Sequence, residues 1–312
     1  MPGFASLLSE TMDEWFEDKA QRLGAALAYY AAFSMAPLLI LLVAVAGFFY
    51  KDRSLELVQV QFAQVPGENA AGAITALVRD VNSSQTRGIT AAVLSVITVF
   101  LGATGMFGQL QDAMNTIWEV TPKPRRLWVD VLRTRILSFA LVLAICFLLL
   151  VSVLLSAALA WASGYLQDLL PFTAGLWPFV DFAFSIAITT VLFALIFKIM
   201  PDVHVAWNDV WLGAATTAVL FAVGKIAIGF YLGRSSFTSA YGAAGSLLVL
   251  LVWVYYSAQI LFFGAEFTSV YAHHKGRRFR PARGAQFLTE AQRIHQGIPH
   301  TETIQAAFKK SR

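Results

Sequence analysis

The chain has 312 residues, of which 57% are apolar and 13% charged, with 23 Lys and Arg against 19 Asp and Glu for a formal charge of +4. Soluble domains carry roughly 25% charged residues, so the polar surface that a water-soluble globule of this size needs is missing. Long apolar blocks and a mean hydropathy of +0.63 exclude soluble, disordered and fibrous classes and leave a multi-span helical membrane protein.

The fold class expected is all-α: a polytopic membrane protein with six transmembrane helices plus short amphipathic interfacial helices. The N-terminal segment, residues 1–24, is acidic (Asp13, Glu14, Glu17, Asp18), unlike a cleaved signal. Leu8, Met12, Trp15 and Phe16 recur at helical spacing there, with Thr11 and Glu14 as a capping box. Six stretches suffice to cross about 30 Å of hydrocarbon, at 25–49, 89–108, 136–160, 178–199, 209–232 and 244–271. The transmembrane domain is thus 25–271. Its outer loop carries two apolar stripes, Leu55, Val58, Phe62 and Val65, then Ile74, Leu77, Val78 and Val81, separated by Pro66-Gly67. That predicts a periplasmic amphipathic hairpin over 52–82. Residues 272–312 form a basic tail, expected to be loosely ordered from 295 onward.

An even number of spans puts both termini on one side. Lys and Arg near the spans number 13 on that side and 5 on the other, which places both termini in the cytoplasm. Seven of the eight tryptophans fall near these boundaries; Trp15, Trp118, Trp128, Trp207 and Trp211 are expected at the cytoplasmic interface. Cys146 stands alone, so no disulfide framework or thiolate cluster is implied.

The first three spans carry no charge, whereas the others hold Asp181, Lys198, Asp209, Lys225 and Glu266. Lys225 lies roughly 10 Å inside the outer end of the fifth span, where a lone cation costs about 2.5 kcal/mol or more. It is a pathway residue or a tether, with Asp181 and Gln259 as its candidate partners. Glu266 lies nearer the cytoplasmic end, at the level of Lys198, and reads either as part of a polar pathway or as a carboxylate paired to a loop cation. Pro37 interrupts the first span just after Tyr29, Tyr30 and Ser34, freeing a backbone carbonyl as in the broken helices of transporters; most membrane prolines only bend a helix. Gly102, Gly105 and Gly108, and the pair Gly229 and Gly233, suit close helix packing. The run Lys275, Arg277, Arg278, Arg280 and Arg283 suits anionic lipid headgroups, and the same charges also set topology.

Enzyme signatures are missing. Gly224-Lys225 lacks the rest of a phosphate loop, and no Gly-x-Ser-x-Gly or His-Glu-x-x-His occurs. His273 and His274 are adjacent and point apart on a helix, so no metal is expected.

Several stretches are distinctive together: Ala25 through Tyr29-Tyr30 and Ser34 to Pro37, Asp112-Ala-Met-Asn-Thr-Ile-Trp118, Lys198-Ile-Met-Pro201, Val205 to Gly213, and Tyr241-Gly242 through Trp253-Val-Tyr255 to Glu266. In this order, over residues 20–275, they resemble the YihY/BrkB family of bacterial inner-membrane proteins. The resemblance implies six spans in that membrane and a shared core including Pro37, Lys225, Tyr241, Gly242 and Glu266. It supplies no catalytic list; the family's historical ribonuclease label finds no support in these residues. Transport or flipping of a lipid, lipid precursor or small solute is the first expectation. A membrane scaffold or assembly partner is the second, and a ribonuclease the last. No cofactor and no nucleic acid are expected; membrane lipids are, and a homo-oligomer is possible on these grounds.

Overall fold

The computed structural model describes residues 3–33, 105–123, 177–234, 243–277 and 279–303, with positions 148 and 151. Helix α1 is Phe4–Glu17, followed by helical residues 20–33 (α2) and 105–117 (α3). Then come β1 (Val120–Pro122), α4 (Trp177–Ile199), β2 (Val203–His204), α5 (Trp207–Arg234), α6 (Ala243–His274), β3 (Arg280–Pro281), β4 (Ala285–Phe287) and α7 (Glu290–Gln296).

Three helices, α4, α5 and α6, are long and apolar enough to cross a membrane, and they match the fourth, fifth and sixth expected spans. Their apolar windows are only 28%, 33% and 33% buried. Phe179, Phe182, Val219, Val223, Ile226 and Phe230 are all more than half exposed or at half. Such large apolar faces are unfavourable in water and ordinary against lipid. Most of the first three expected spans, and the hairpin at 52–82, lie outside the described residues.

The chain divides into two compact units. The first comprises Met1–Ala20, Gln111–Ala222 and Ile260–Arg312. Within it, Leu7 of α1 packs with Phe267 and Val270 of α6, flanked by Leu8 and Tyr271. Phe193 of α4 meets Phe221 of α5 edge-on at 5.7 Å. Helices α5 and α6 cross antiparallel, because Thr268 lies over Gly213 and Thr217 over Gly264. Each threonine hydroxyl also donates to the carbonyl one turn back, Thr217 to Gly213 and Thr268 to Gly264, both at 2.7 Å. The polar requirement of each hydroxyl is thus met within its own helix.

Two antiparallel ribbons complete this unit and amend the all-α expectation. Strand β1 pairs with β4 in the register Val120↔Phe287, and β2 with β3 as Val203↔Pro281 and His204↔Arg280. Strands of two or three residues leave no period-two signal to read. Trp118 is 2% exposed, edge-on to Phe279 at 4.8 Å, and so belongs to the core of this unit. The ribbons hold residues 280–287, and contacts of Arg293, His300 and Thr301 hold the segment beyond them, so the loose tail expected from 295 is corrected through 303. The α1 capping box is corrected too. Thr11 is mid-helix and buried, donating to the Leu7 carbonyl at 2.7 Å, and the N-cap is Gly3 without a side-chain cap.

The second unit comprises Gln21–Leu110 and Val223–Gln259. Here the Gln259 amide lies over Gly24, and the Tyr30 ring over Gly105, where an added Cβ would sit 3.0 Å from the ring. Trp253 packs with Ile228 and Val249. Among the described residues nothing lies within 4 Å of where a Cβ would sit at Gly108 or Gly229, so the close approaches seen there are at other glycines.

Candidate functional site

The most constrained polar region lies in the first unit, where α1, the end of α3, α6 and α7 bring charged groups together. Arg293 of α7 is 1% exposed and Asp18, just after α1, is 3% exposed. Their ion pair spans 2.9 Å, and a second Arg293 nitrogen lies 3.1 Å from Glu119 Oε1. His300 presents one ring nitrogen to Glu290 at 2.5 Å and the other to Glu119 at 2.9 Å. Glu17 accepts from the Thr301 amide and hydroxyl at 2.9 and 3.1 Å. The Lys19 ammonium donates to the Gly297 carbonyl.

The local sequence explains how α7 presents Arg293. Thr289 and Gln292 form a capping box at its start, and Gly297 ends it at φ 75°, a conformation glycine adopts freely. Lys19 (φ 52°) and Glu119 (φ 50°) also adopt left-handed conformations, which for non-glycine residues store about 1–2 kcal/mol each. Both strained residues terminate a helix, and both hold the C-terminal segment: Lys19 through Gly297, and Glu119 through Arg293, His300 and the Leu288 amide at 2.8 Å.

Glu266 of α6 belongs to the same region. It is 2% exposed, its Oε1 accepts no hydrogen bond, and its charged neighbours are Asp18, Glu14, Arg293 and Glu119. Lys198, expected at the same level, is engaged elsewhere, in the last turn of α4. It donates to the Val205 carbonyl and lies 5.4 Å from the Trp207 ring centroid.

Outside the spans, burial pushes the Asp18 carboxyl up to about 7 against the pull of Arg293. Burial also raises Glu14, helped by Glu17 and Glu119. Burial opposes the charged form of His300, but hydrogen bonds to Glu290 and Glu119 outweigh it and raise its pKa. The His300 hydrogen bond lowers Glu290 in return.

The other residues singled out in the sequence are dispersed. Lys225 is exposed on α5, beside the exposed Val223 and Ile226. Asp181 lies on α4. Tyr29 and Tyr30 are exposed on α2 with Phe33, which lies 4.7 Å from the Tyr29 ring. Ser34, Pro37, Tyr241 and Arg278 lie outside the described residues. Of the basic run, Lys275, Arg280 and Arg283 are exposed, with Lys275 4.5 Å from the Tyr271 ring. Arg277 instead lies 2.7 Å from the buried Asp209 carboxylate, an ionic contact off the hydrogen-bond line. His274 contacts Glu10 at 2.6 Å and His273 packs edge-on against Phe279. Among the described residues, no group of three His, Cys, Asp or Glu is placed to hold a metal ion.

Sequence reasoning missed Asp18, Glu119, Arg293 and His300 as a group. The Thr289-x-x-Gln292 capping pattern was the available signal for α7. One motif residue, Asn115, meets Asp202 just after Lys198-Ile-Met-Pro201: Asn115 donates to Asp202 Oδ2 at 3.2 Å and accepts its amide at 2.8 Å, while the Ala282 amide donates to the Asp202 carbonyl at 2.8 Å.

The model of the family described as Virulence factor BrkB matches residues 11–289, from α1 to the cap of α7. The chain belongs to the BrkB family. A UPF0761 membrane protein of Tolumonas auensis is 29% identical over 262 residues, covering 81% of each chain. One from Cronobacter sakazakii is 28% identical over 261 residues, covering 81% of this chain and 83% of its own. One from Rhodospirillum centenum is 24% identical over 315 residues, 99% of this chain and 67% of its own. No solved structure matches. These named membrane proteins and the exposed apolar faces of α4, α5 and α6 agree: this is an integral membrane protein.

Proposed function

We propose that the chain is a six-span protein of the bacterial inner membrane, both termini cytoplasmic, that moves a lipid, a lipid precursor or a small solute and is not an enzyme. The observation that carries this reading is Glu266: a buried carboxylate with an unpaired oxygen on a span-length helix. Ionisable residues in such positions usually line polar pathways. The antiparallel crossing of α5 and α6 suits consecutive spans, and the 13-to-5 bias in Lys and Arg sets the orientation. The exposed Lys275, Arg280 and Arg283 then meet anionic headgroups of the inner leaflet.

The exposed Phe287 and Ile294 of the C-terminal segment favour a second reading, a membrane scaffold that docks an assembly partner or a second copy. Reconstitution separates the two. Proteoliposomes should scramble a labelled phospholipid or release a trapped solute faster than empty liposomes; a scaffold would do neither. Cysteine labelling from outside whole cells should reach Asn69→Cys and spare Lys123→Cys, and reversed accessibility contradicts the orientation.

A further inference from the structure

We propose that Lys198, Trp207 and Trp211 form a binding site for the headgroup of an anionic phospholipid. Lys198 stands in the last turn of α4, at the end of the apolar window Phe182–Ile199, and Trp207 opens the apolar window Trp207–Tyr231 of α5. Both therefore lie where the hydrocarbon of a bilayer gives way to its phosphates. Trp207 and Trp211 are one helical turn apart, 45% and 44% exposed, with ring centroids 6.2 Å apart and planes at 31°. Ile199, next to Lys198 in the chain, is exposed as well. At that level such an apolar surface is covered by lipid, with the polar edge of each indole toward the headgroups.

The Lys198 ammonium is fixed at this boundary by two contacts. It donates to the Val205 carbonyl, and its Nζ lies 5.4 Å from the centroid of the Trp207 ring. An ammonium carries three N–H donors, and among the described residues Val205 is the one acceptor for them. The carboxylates of the same connection are engaged elsewhere: Asp209 lies 2.7 Å from Arg277, and Asp202 accepts from Gln111 and Asn115. A second cation stands close by, because the exposed Arg280 is paired across the β2–β3 ribbon with His204, the residue before Val205. Positive charge along the water edge of a lipid-covered aromatic pair selects a phosphodiester with net negative charge. The site holds whether or not the protein moves a substrate, and whichever side of the membrane this end faces.

Quenching of tryptophan emission by brominated lipids, on the full chain in nanodiscs, tests the assignment. The signal of Trp207 and Trp211 is the difference between the parent and Trp207→Phe/Trp211→Phe, two changes at exposed positions. Brominated phosphatidylglycerol should quench it about fivefold more effectively than brominated phosphatidylcholine, the preference that one cation at the membrane surface supplies. Lys198→Gln should remove that preference, and Lys198→Arg should keep it. Displacement on the parent keeps the test open if Lys198→Gln does not fold: unlabelled phosphatidylglycerol should restore the emission and unlabelled phosphatidylcholine should not. The proposal is overturned if the two brominated lipids quench alike, as they would at an unselective interfacial anchor. It is also overturned if the preference survives Lys198→Gln, if it is lost in Lys198→Arg, or if phosphatidylcholine displaces the brominated lipid equally well.

Discussion

Thr217 and Thr268 each fill the space over the other's glycine, Thr217 over Gly264 and Thr268 over Gly213. A Cβ at either glycine would overlap the opposing threonine side chain, whose Cβ lies 2.8 Å away in both cases. Gly213→Ala or Gly264→Ala should therefore destabilise the α5–α6 crossing by about 1–3 kcal/mol. Pairing Gly213→Ala with Thr268→Ala restores room and should recover part of the loss. Thermal unfolding in detergent checks this; a double variant no better than the single one refutes the reciprocal packing.

Removing Arg293 strands the buried Asp18 carboxylate. Arg293→Met should cost about 3–5 kcal/mol in the docking of residues 290–303, the usual penalty for breaking a buried pair from one side. Limited proteolysis should cut this segment first, with the helices still intact. Unchanged resistance in the variant would show that the ribbons alone hold it.

The docking should also depend on pH. Asp18 and His300 both have pKa values raised by the folded surroundings. Their contributions are fully present below the unfolded values and are lost as pH rises through the folded ones, the window from about 4 to 7 for Asp18. Glu290, whose pKa is lowered, acts oppositely and gives way only on the acid side. Corrected hydrogen-exchange protection of residues 290–303 should fall about tenfold or more from pH 6 to pH 8. Protection that rises over this interval contradicts the assigned directions.

Lys225 is exposed on α5, so Lys225→Met should leave the fold intact, with a melting shift of about 2 °C or less. A pathway role then appears as lost flux in a stable protein. A fall of 5 °C or more, on the order of 1–2 kcal/mol, would instead identify a tether.

Lys275, Arg280 and Arg283 are the exposed members of the basic run among the described residues, and each should contribute about 1 kcal/mol to binding anionic membranes. Changing all three to Gln should abolish the salt-sensitive lipid preference in reconstitution. Changing Arg277, which neutralises the buried Asp209, should lower stability instead. Equal lipid binding by the triple variant and the parent would refute the headgroup role.

The three described spans were readable because each is a predominantly apolar stretch long enough to cross a bilayer, a signal that needs no tertiary information. Glu266 stood out for the same reason, as a charge inside such a run. Its neighbours did not. Asp18 and Glu119 look like solvated acids in helical or loop sequence, and Arg293 looks like one more cation of a polar tail. Only the docking of α7 brings them together across more than 270 positions. The ribbons escaped notice because strands this short have no periodicity, and the burial of Trp118 was not readable because a tryptophan near a span end suits an interface as well as a core. The Gly213/Thr268 and Gly264/Thr217 contacts were hidden because each small residue is meaningful only with its partner on the other helix.

The most direct measurement compares flux in proteoliposomes carrying equal amounts of wild-type protein and Glu266→Gln, an isosteric change that removes the buried carboxyl group. Both should insert and fold alike by circular dichroism and gel filtration. Transport by the wild type, reduced at least tenfold in the variant, is the expected result. Equal flux in the two, or none in the wild type under conditions where it is folded, would contradict a polar pathway through Glu266.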